Sequence, residues 1–242
     1  MVYQKNSWSY TFILVLKNFM KKVVAYIDGF NFYHSIAHNL PPTHKWLDYK
    51  KFISQFLQPG EKLTGIYIFT ANPIWDKERM IRHSNYMRIL SSLWITVISW
   101  NYTFATRKFN GTKMPVLPDN LWNIQTVSPN FFYYKNYEEK QTDVNIALSL
   151  FEWGIFHCYD KAIIVTGDSD IAPSIHRVKK RRKNKEFVCI LPYKWKWKTM
   201  SRTCDDVIVI SEEHISNSLL PDEVEVRGVL YKNPYLTKEA KS

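Results

Sequence analysis

Six short, nearly unbroken apolar runs, separated by longer segments of helical pattern, constrain this chain more than any other feature. They are Val23–Asp28 (VVAYID), Leu63–Thr70 (LTGIYIFT), Trp94–Trp100 (WITVISW), Ala162–Thr166 (AIIVT), Phe187–Leu191 (FVCIL) and Val207–Ile210 (VIVI). A strand with one wet face alternates apolar and polar residues, whereas a run that is apolar throughout is covered on both faces. Between the runs the pattern predicts helices at Phe30–His38, Tyr49–Leu57, Asp76–Leu93, Thr142–Cys158 and Ile171–Lys183. The fourth of these carries Val144, Ala147, Leu148 and Phe151 on one side, and Asn184 reads as a left-handed stop for the fifth. Strands alternating with helices in this way predict an α/β fold around a mostly parallel sheet covered on both faces.

The alternation breaks between Asn101 and Tyr137. Asn110-Gly111, between two polar-aromatic runs, is a hairpin signal, and Pro115, Pro118 and Pro129 follow it. The expected organisation is therefore a domain over residues 21–210 with a hairpin-and-loop insertion at 101–137. A charged, weakly patterned C-terminal extension over 211–242 follows. Residues 1–20 read as an N-terminal extension, because Met20-Lys21-Lys22 stands directly before the first strand and marks a natural start. The apolar stretch Trp8–Leu16 is short and lacks a small-residue cleavage site, so it is not read as a signal peptide. No run of about 18 apolar residues predicts a membrane-spanning helix. Cys158, Cys189 and Cys204 follow no metal-ligand or disulfide spacing, which points to a reducing cytoplasm.

In an open parallel sheet, ligands bind beyond the carboxyl ends of the strands, where the strand order reverses. Acids stand at two such ends. Asp28 closes the first strand in Ile27-Asp28-Gly29-Phe30-Asn31, and Asp168 and Asp170 follow the fourth in Thr166-Gly167-Asp168-Ser169-Asp170. If those strands are neighbours, their carboxylates converge. Asp143, opening the helix before the fourth strand, falls on the same edge. Carboxylates gathered in one cleft raise one another's pKa values, and a hard divalent cation such as Mg2+ or Mn2+ relieves the repulsion. With no His or Cys cluster, zinc is not expected. Each acid also has a plain structural alternative. Asp28-Gly29 would be a turn, Asp143 a helix-dipole partner, and Asp170 an N-cap.

The runs Tyr26-Ile27-Asp28-Gly29-Phe30-Asn31, Glu139-Lys140-Gln141-Thr142-Asp143-Val144 and Thr166-Gly167-Asp168-Ser169-Asp170 resemble, in order, those of the NYN domain family. That family includes the LabA-like proteins and belongs to the PIN-like nucleases. The resemblance implies a PIN-like three-layer α/β/α sandwich and metal-dependent cleavage of RNA. It assigns metal binding to Asp28, Asp143 and Asp168, places Asp170 beside them in catalysis, and gives Asn31 a supporting role in orienting Asp28 or a phosphate. Two positions depart from the family pattern. A small residue, often Gly, is usual where Gln141 stands, and a Gly is usual near Asn184.

Lys and Arg outnumber Asp and Glu by 33 to 22, a net charge of +11, which suits a polyanionic partner. The predicted fifth helix ends in a basic run that includes Lys180, Arg181 and Arg182, readable as a phosphate-contacting patch or as a solvated face. Tyr193-Lys194-Trp195-Lys196-Trp197-Lys198 follows the fifth strand. If extended, it turns aromatics to one side for unpaired bases and lysines to the other for phosphates. Its alternative is that Trp195 and Trp197 cover the core. His34 and His38 read as packing or solvent-facing side chains.

Metal-dependent hydrolysis of RNA, single-stranded in the first instance, is the function expected. A non-catalytic RNA-binding or scaffold protein keeping the PIN-like fold is the alternative, and a homo-oligomer is compatible with either. A haloacid-dehalogenase-type phosphatase needs a second acid two residues after the first, where this chain has Phe30.

Overall fold

The computed structural model describes residues 20–110, 122–128, 131–138, 141–193 and 199–236. The chain runs β1 (Lys21–Asp28), α1 (Gly29–Asn39), α2 (Tyr49–Ser54), β2 (Glu61–Asn72), α3 (Lys77–Ser92) and β3 (Ile95–Asn101). An inserted unit follows, comprising β4 (Thr103–Asn110), β5 (Trp122–Ser128) and β6 (Phe131–Glu138). Then come α4 (Thr142–Ile155), β7 (Lys161–Val165), α5 (Ala172–Arg181), β8 (Glu186–Leu191), α6 (Met200–Thr203), β9 (Asp206–Val209) and α7 (Glu212–Ser216). The last elements are β10 (Glu223–Val226) and β11 (Val229–Lys232). The upstream-start expectation for 1–19 concerns residues outside those described.

The main sheet has the order β3-β2-β1-β7-β8-β9, and every pairing in it is parallel. Its apolar runs conceal a period of two. Val23, Ala25 and Ile27 of β1, Ile163 and Val165 of β7, and Val188 and Ile190 of β8 join one core layer. There they meet Phe32 and Ile36 of α1 and Phe52 and Ile53 of α2. Val24 and Tyr26, Ala162 and Ile164, and Phe187, Cys189 and Leu191 join the other layer, against Ile146 and Leu150 of α4 and Ile175 and Val178 of α5. The fold is thus the expected three-layer α/β/α sandwich with a central parallel sheet.

Several local expectations change. Trp94 does not open the third strand: it is left-handed (φ 65) and 87% exposed, and closes the turn after α3. Asn184 is not left-handed; α5 ends at Arg182 (φ −136), whose N–H still reaches the Val178 carbonyl. The face of α4 also differs. Ile146, Leu150 and Gly154 point inward, while Val144 and Leu148 are 59% and 60% exposed. Gly154 sets this face, since a Cβ there would lie 2.8 Å from Val178 Cγ1 of α5. The helices approach along the 146–150–154 ridge, which the more bulky Val144–Leu148 side cannot match.

The insertion is a three-stranded antiparallel sheet, β4-β6-β5. The hairpin signal at Asn110-Gly111 runs into residues outside those described; β4 pairs with β6 (Asn110 opposite Phe131), and β5 with β6. The segment after Pro221 forms the β10–β11 hairpin. Its Val224, Val226 and Tyr231 pack on Trp46, Ile89 and Leu220, over α3.

Candidate functional site

The pairing of β1 with β7 puts the reversal of strand order between them, with Ile27 opposite Val165. Asp28 and the Thr166–Asp170 loop therefore leave the sheet side by side. Asp28 ends β1 and is the N-cap of α1, so the chain passes from strand to helix without a loop. Gly29 permits this tight junction, since a Cβ there would lie 2.8 Å from the Phe69 carbonyl oxygen of β2.

The Asp28 carboxylate is buried, with 4% exposure, and both oxygens are occupied. Oδ1 accepts the Asn31 N–H at 2.9 Å, and Oδ2 accepts the Thr166 hydroxyl at 3.0 Å. Thr166 Oγ1 in turn accepts the Asp168 N–H at 3.0 Å, while Asn31 Oδ1 accepts the Gly167 N–H at 3.0 Å. Asp168 Oδ1 accepts the Asp170 N–H at 2.9 Å. Two ties thus bind the β1–α1 corner to the loop after β7. Thr166 was not singled out from the sequence. A buried carboxylate needs donors, however, and the hydroxyl two residues before Asp168 was a visible supplier.

Asp143, Asp168 and Asp170 offer one carboxylate oxygen each within 4.8 Å of one another. Among the described residues this is the gathered group of acid, histidine or cysteine ligands. Asp143 and Asp168 are half-buried and Asp170 is exposed, so the acids grade outward from Asp28. Asp28 does not join the 4.8 Å group, but the charges couple. Burial first, and then the charges of Asp143 and Asp168, raise the Asp28 pKa to about 6 against the pull of its Asn31 and Thr166 donors. Asp143 is also raised, first by burial and then by Asp168 and Asp170.

The structural alternatives separate here. Asp170 does not cap α5, whose N-cap is Ile171 without a side-chain bond. Asp143 does lie in the first turn of α4, where the helix dipole favours a negative charge. Gln141, just before it, is left-handed (φ 80), which explains why a small residue suits this position. Asn145 holds the turn by donating its backbone N–H and its Nδ2 to the Gln141 carbonyl, each at 2.8 Å.

The predicted RNA contacts fall in two places. Helix α5 starts at the acidic edge and runs back across the sheet for ten residues, about 15 Å. Lys180, Arg181 and Arg182 therefore sit at the opposite edge. There Arg182 Nη2 donates to the Ile155 carbonyl at 3.1 Å, and the Arg181 guanidinium lies 5.5 Å from the Phe151 ring centre. Tyr193 lies two residues beyond the end of β8, its carbonyl accepting the Ser35 hydroxyl of α1 at 3.0 Å. Lys194, Trp195, Lys196, Trp197 and Lys198 lie outside the described residues. His34 is half-buried, with its pKa lowered first by burial and then by His38 and Lys45.

A parallel α/β/α sandwich with aspartates gathered where its strand order reverses defines a PIN-like domain. The family model of the NYN domain matches residues 22–212, and the chain belongs to that family. It is 29% identical over 177 residues to 6-hydroxy-3-succinoylpyridine 3-monooxygenase HspA of Pseudomonas putida (strain DSM 28022 / S16). That match covers 64% of this chain and 54% of HspA, so the chain spans about half the length of that relative. The crystal structure of a protein of unknown function, VPA0982 from Vibrio parahaemolyticus RIMD 2210633, has the same fold. It superposes with a TM-score of 0.52 at 18% identity, over 84% of this chain and 98% of the Vibrio one.

Proposed function

We propose that this chain is a Mg2+- or Mn2+-dependent ribonuclease that hydrolyses phosphodiester bonds of single-stranded RNA at its aspartate cluster. The observation that carries this is the gathering of Asp143, Asp168 and Asp170 oxygens within 4.8 Å at the edge where strand order reverses. The residues fit a hard divalent cation: every donor is a carboxylate oxygen, and burial together with neighbouring carboxylates raises the pKa values of Asp28 and Asp143, a cost that a counter-charge offsets. A bound cation there supplies water activation and neutralises charge developing on the phosphodiester. Asp143, Asp168 and Asp170 would hold it, with Asp28 adding its charge from the buried side. Thr166 and Asn31 keep the loop after β7 in place, so the acids are positioned before RNA arrives.

The net charge of +11 favours capture of RNA at long range, and the Lys180–Arg182 end of α5 acts there through its field rather than at the scissile phosphate. We place the protein in the cytoplasm, with Lys194–Lys198 gripping RNA. No helix of the described residues is long and apolar enough to cross a membrane. The name of the Pseudomonas relative specifies a monooxygenase acting on a pyridine compound; the carboxylate geometry favours phosphodiester hydrolysis here instead.

The test is cleavage of a mixed-sequence single-stranded RNA in Mn2+ or Mg2+ by wild type and Asp168→Asn, with an EDTA control. Cleavage should be lost in both the variant and the chelated sample. RNA binding by wild type without cleavage would replace the ribonuclease with the non-catalytic binding protein.

A further inference from the structure

The acidic site continues, on its β2–β3 side, into a rim of rings. Phe30 stands in the first turn of α1, two residues after Asp28, Trp75 follows β2, and Tyr102 follows β3. All three lie beyond the carboxyl ends of adjacent parallel strands, the edge that also bears the aspartates. Phe30 meets Tyr102 with ring centres 6.3 Å apart at 63°, and Tyr102 meets Trp75 at 4.6 Å and 89°. On the helix side Phe30 meets His34 at 4.2 Å and 63°. Rings so steeply inclined do not close into a parallel pile, and Phe30 and Trp75 keep 40% and 39% of their surface exposed. A core role would have buried them, as it buries Phe32 and Phe69 completely.

We propose that this rim is a stacking platform for unpaired bases of single-stranded RNA beside the scissile phosphate, which makes the enzyme selective for single strands. The inference rests on the ribonuclease reading for its substrate and on the rings for its site. The platform is continuous with the acids because Phe30 belongs to the helix that Asp28 caps. From β1 to β3 it extends on the order of 10 Å, two strand spacings, room for more than one base. A cation accompanies it: Lys45 Nζ lies 5.1 Å from the ring centre of Tyr33, on the exposed face of α1 one turn from Phe30. Rings for bases beside an ammonium for phosphate is the combination that single-strand binders use. Duplex RNA keeps its bases in their own stack and offers such rings nothing but its backbone.

The test measures binding of the full chain to a single-stranded RNA bearing one 2-aminopurine, and to its duplex, in EDTA so that metal-dependent cleavage does not intervene. Wild type, the Phe30→Leu/Trp75→Leu double variant and Trp75→Phe are compared, with thermal midpoints as the fold control. Stacking predicts quenching of the 2-aminopurine by wild type and about tenfold or greater loss of single-strand affinity in the double variant. Duplex affinity should be unchanged and Trp75→Phe should keep the quench. Unaltered single-strand affinity in the double variant, equal weakening for the duplex, or no single-strand binding by wild type overturns the platform. Cleavage in Mn2+ by the same proteins is scored separately. A ring-dependent quench without cleavage by wild type keeps the platform and removes the ribonuclease; cleavage with no ring dependence does the reverse.

Discussion

Asp28→Asn should make the metal-free protein more stable at neutral pH, although it removes one of the acids of the site. Burial and the neighbouring carboxylates raise Asp28 from 3.8 to about 6. The folded protein therefore holds that proton more tightly than the unfolded chain. The associated stability is fully present below the unfolded pKa and is lost as pH rises through the folded one. A rise of about 2 units corresponds to about 3 kcal/mol against the ionised folded state at pH 7.5, and linkage leaves about 1 kcal/mol of it at pH 4.5. Asparagine keeps the shape, can accept the Asn31 N–H and can donate to Thr166, and carries no charge at either pH. In EDTA the variant should thus exceed wild type at pH 7.5 by about 6–12 °C in thermal midpoint, at about 2–4 °C per kcal/mol for a chain of this size. Urea unfolding should show the gap shrinking to roughly a third at pH 4.5. Mn2+ should narrow or invert the order at pH 7.5, because the wild-type site has one more charge with which to bind it. Equal stability at pH 7.5 in EDTA, or a gap of the same size at both pH values, would refute the electrostatic account of Asp28.

Thr166→Val removes the donor to Asp28 Oδ2 and the acceptor for the Asp168 N–H together. It should cost about 1–3 kcal/mol in urea unfolding. It should also move the acidic limb of the pH profile for RNA cleavage to higher pH, since Asp28 loses a donor that favours its charged form; an unmoved limb would count against that link. Gln141→Gly relieves a left-handed residue at φ 80 and should raise the unfolding free energy by about 1 kcal/mol, read as a higher urea midpoint with no change in slope.

The sheet was legible because its strands are buried on both faces and therefore appear as short apolar blocks, whereas the neighbour relation of β1 and β7 entered only as the condition for the acids to converge, and the pairing of Ile27 with Val165 meets it. Elsewhere the deciding contact is distant in sequence. The buried face of α4 depends on how closely Gly154 approaches Val178, 24 positions later, and composition along the helix favours the opposite side. The insertion pairs β4 with β6 across intervening chain, a partnership that no local signal announces. The β10–β11 hairpin was overlooked because each strand is four residues long, although Arg227-Gly228, both left-handed, form its turn. The identities of the acids were readable, but their depth was not. Nothing in the run Thr166-Gly167-Asp168-Ser169-Asp170 distinguishes an exposed Asp170 from the buried Asp28 across the sheet.

That difference in depth separates two tasks among the aspartates. Asp143, Asp168 and Asp170 share an opening and can take a cation, but alone they form a loop and a helix end whose like charges push apart. Asp28 counters this without joining the 4.8 Å group. One oxygen caps α1 through Asn31, and the other holds the hydroxyl of Thr166, to which the Asp168 backbone is bonded. The Asn31 amide oxygen adds the second tie, to Gly167. Loss of Asp28's charge should therefore leave these ties nearly intact and weaken cation binding, whereas loss of Thr166 should loosen the loop while leaving all four charges. The two substitutions separate charge from position at one site, which deletion of any of the three clustered aspartates cannot do.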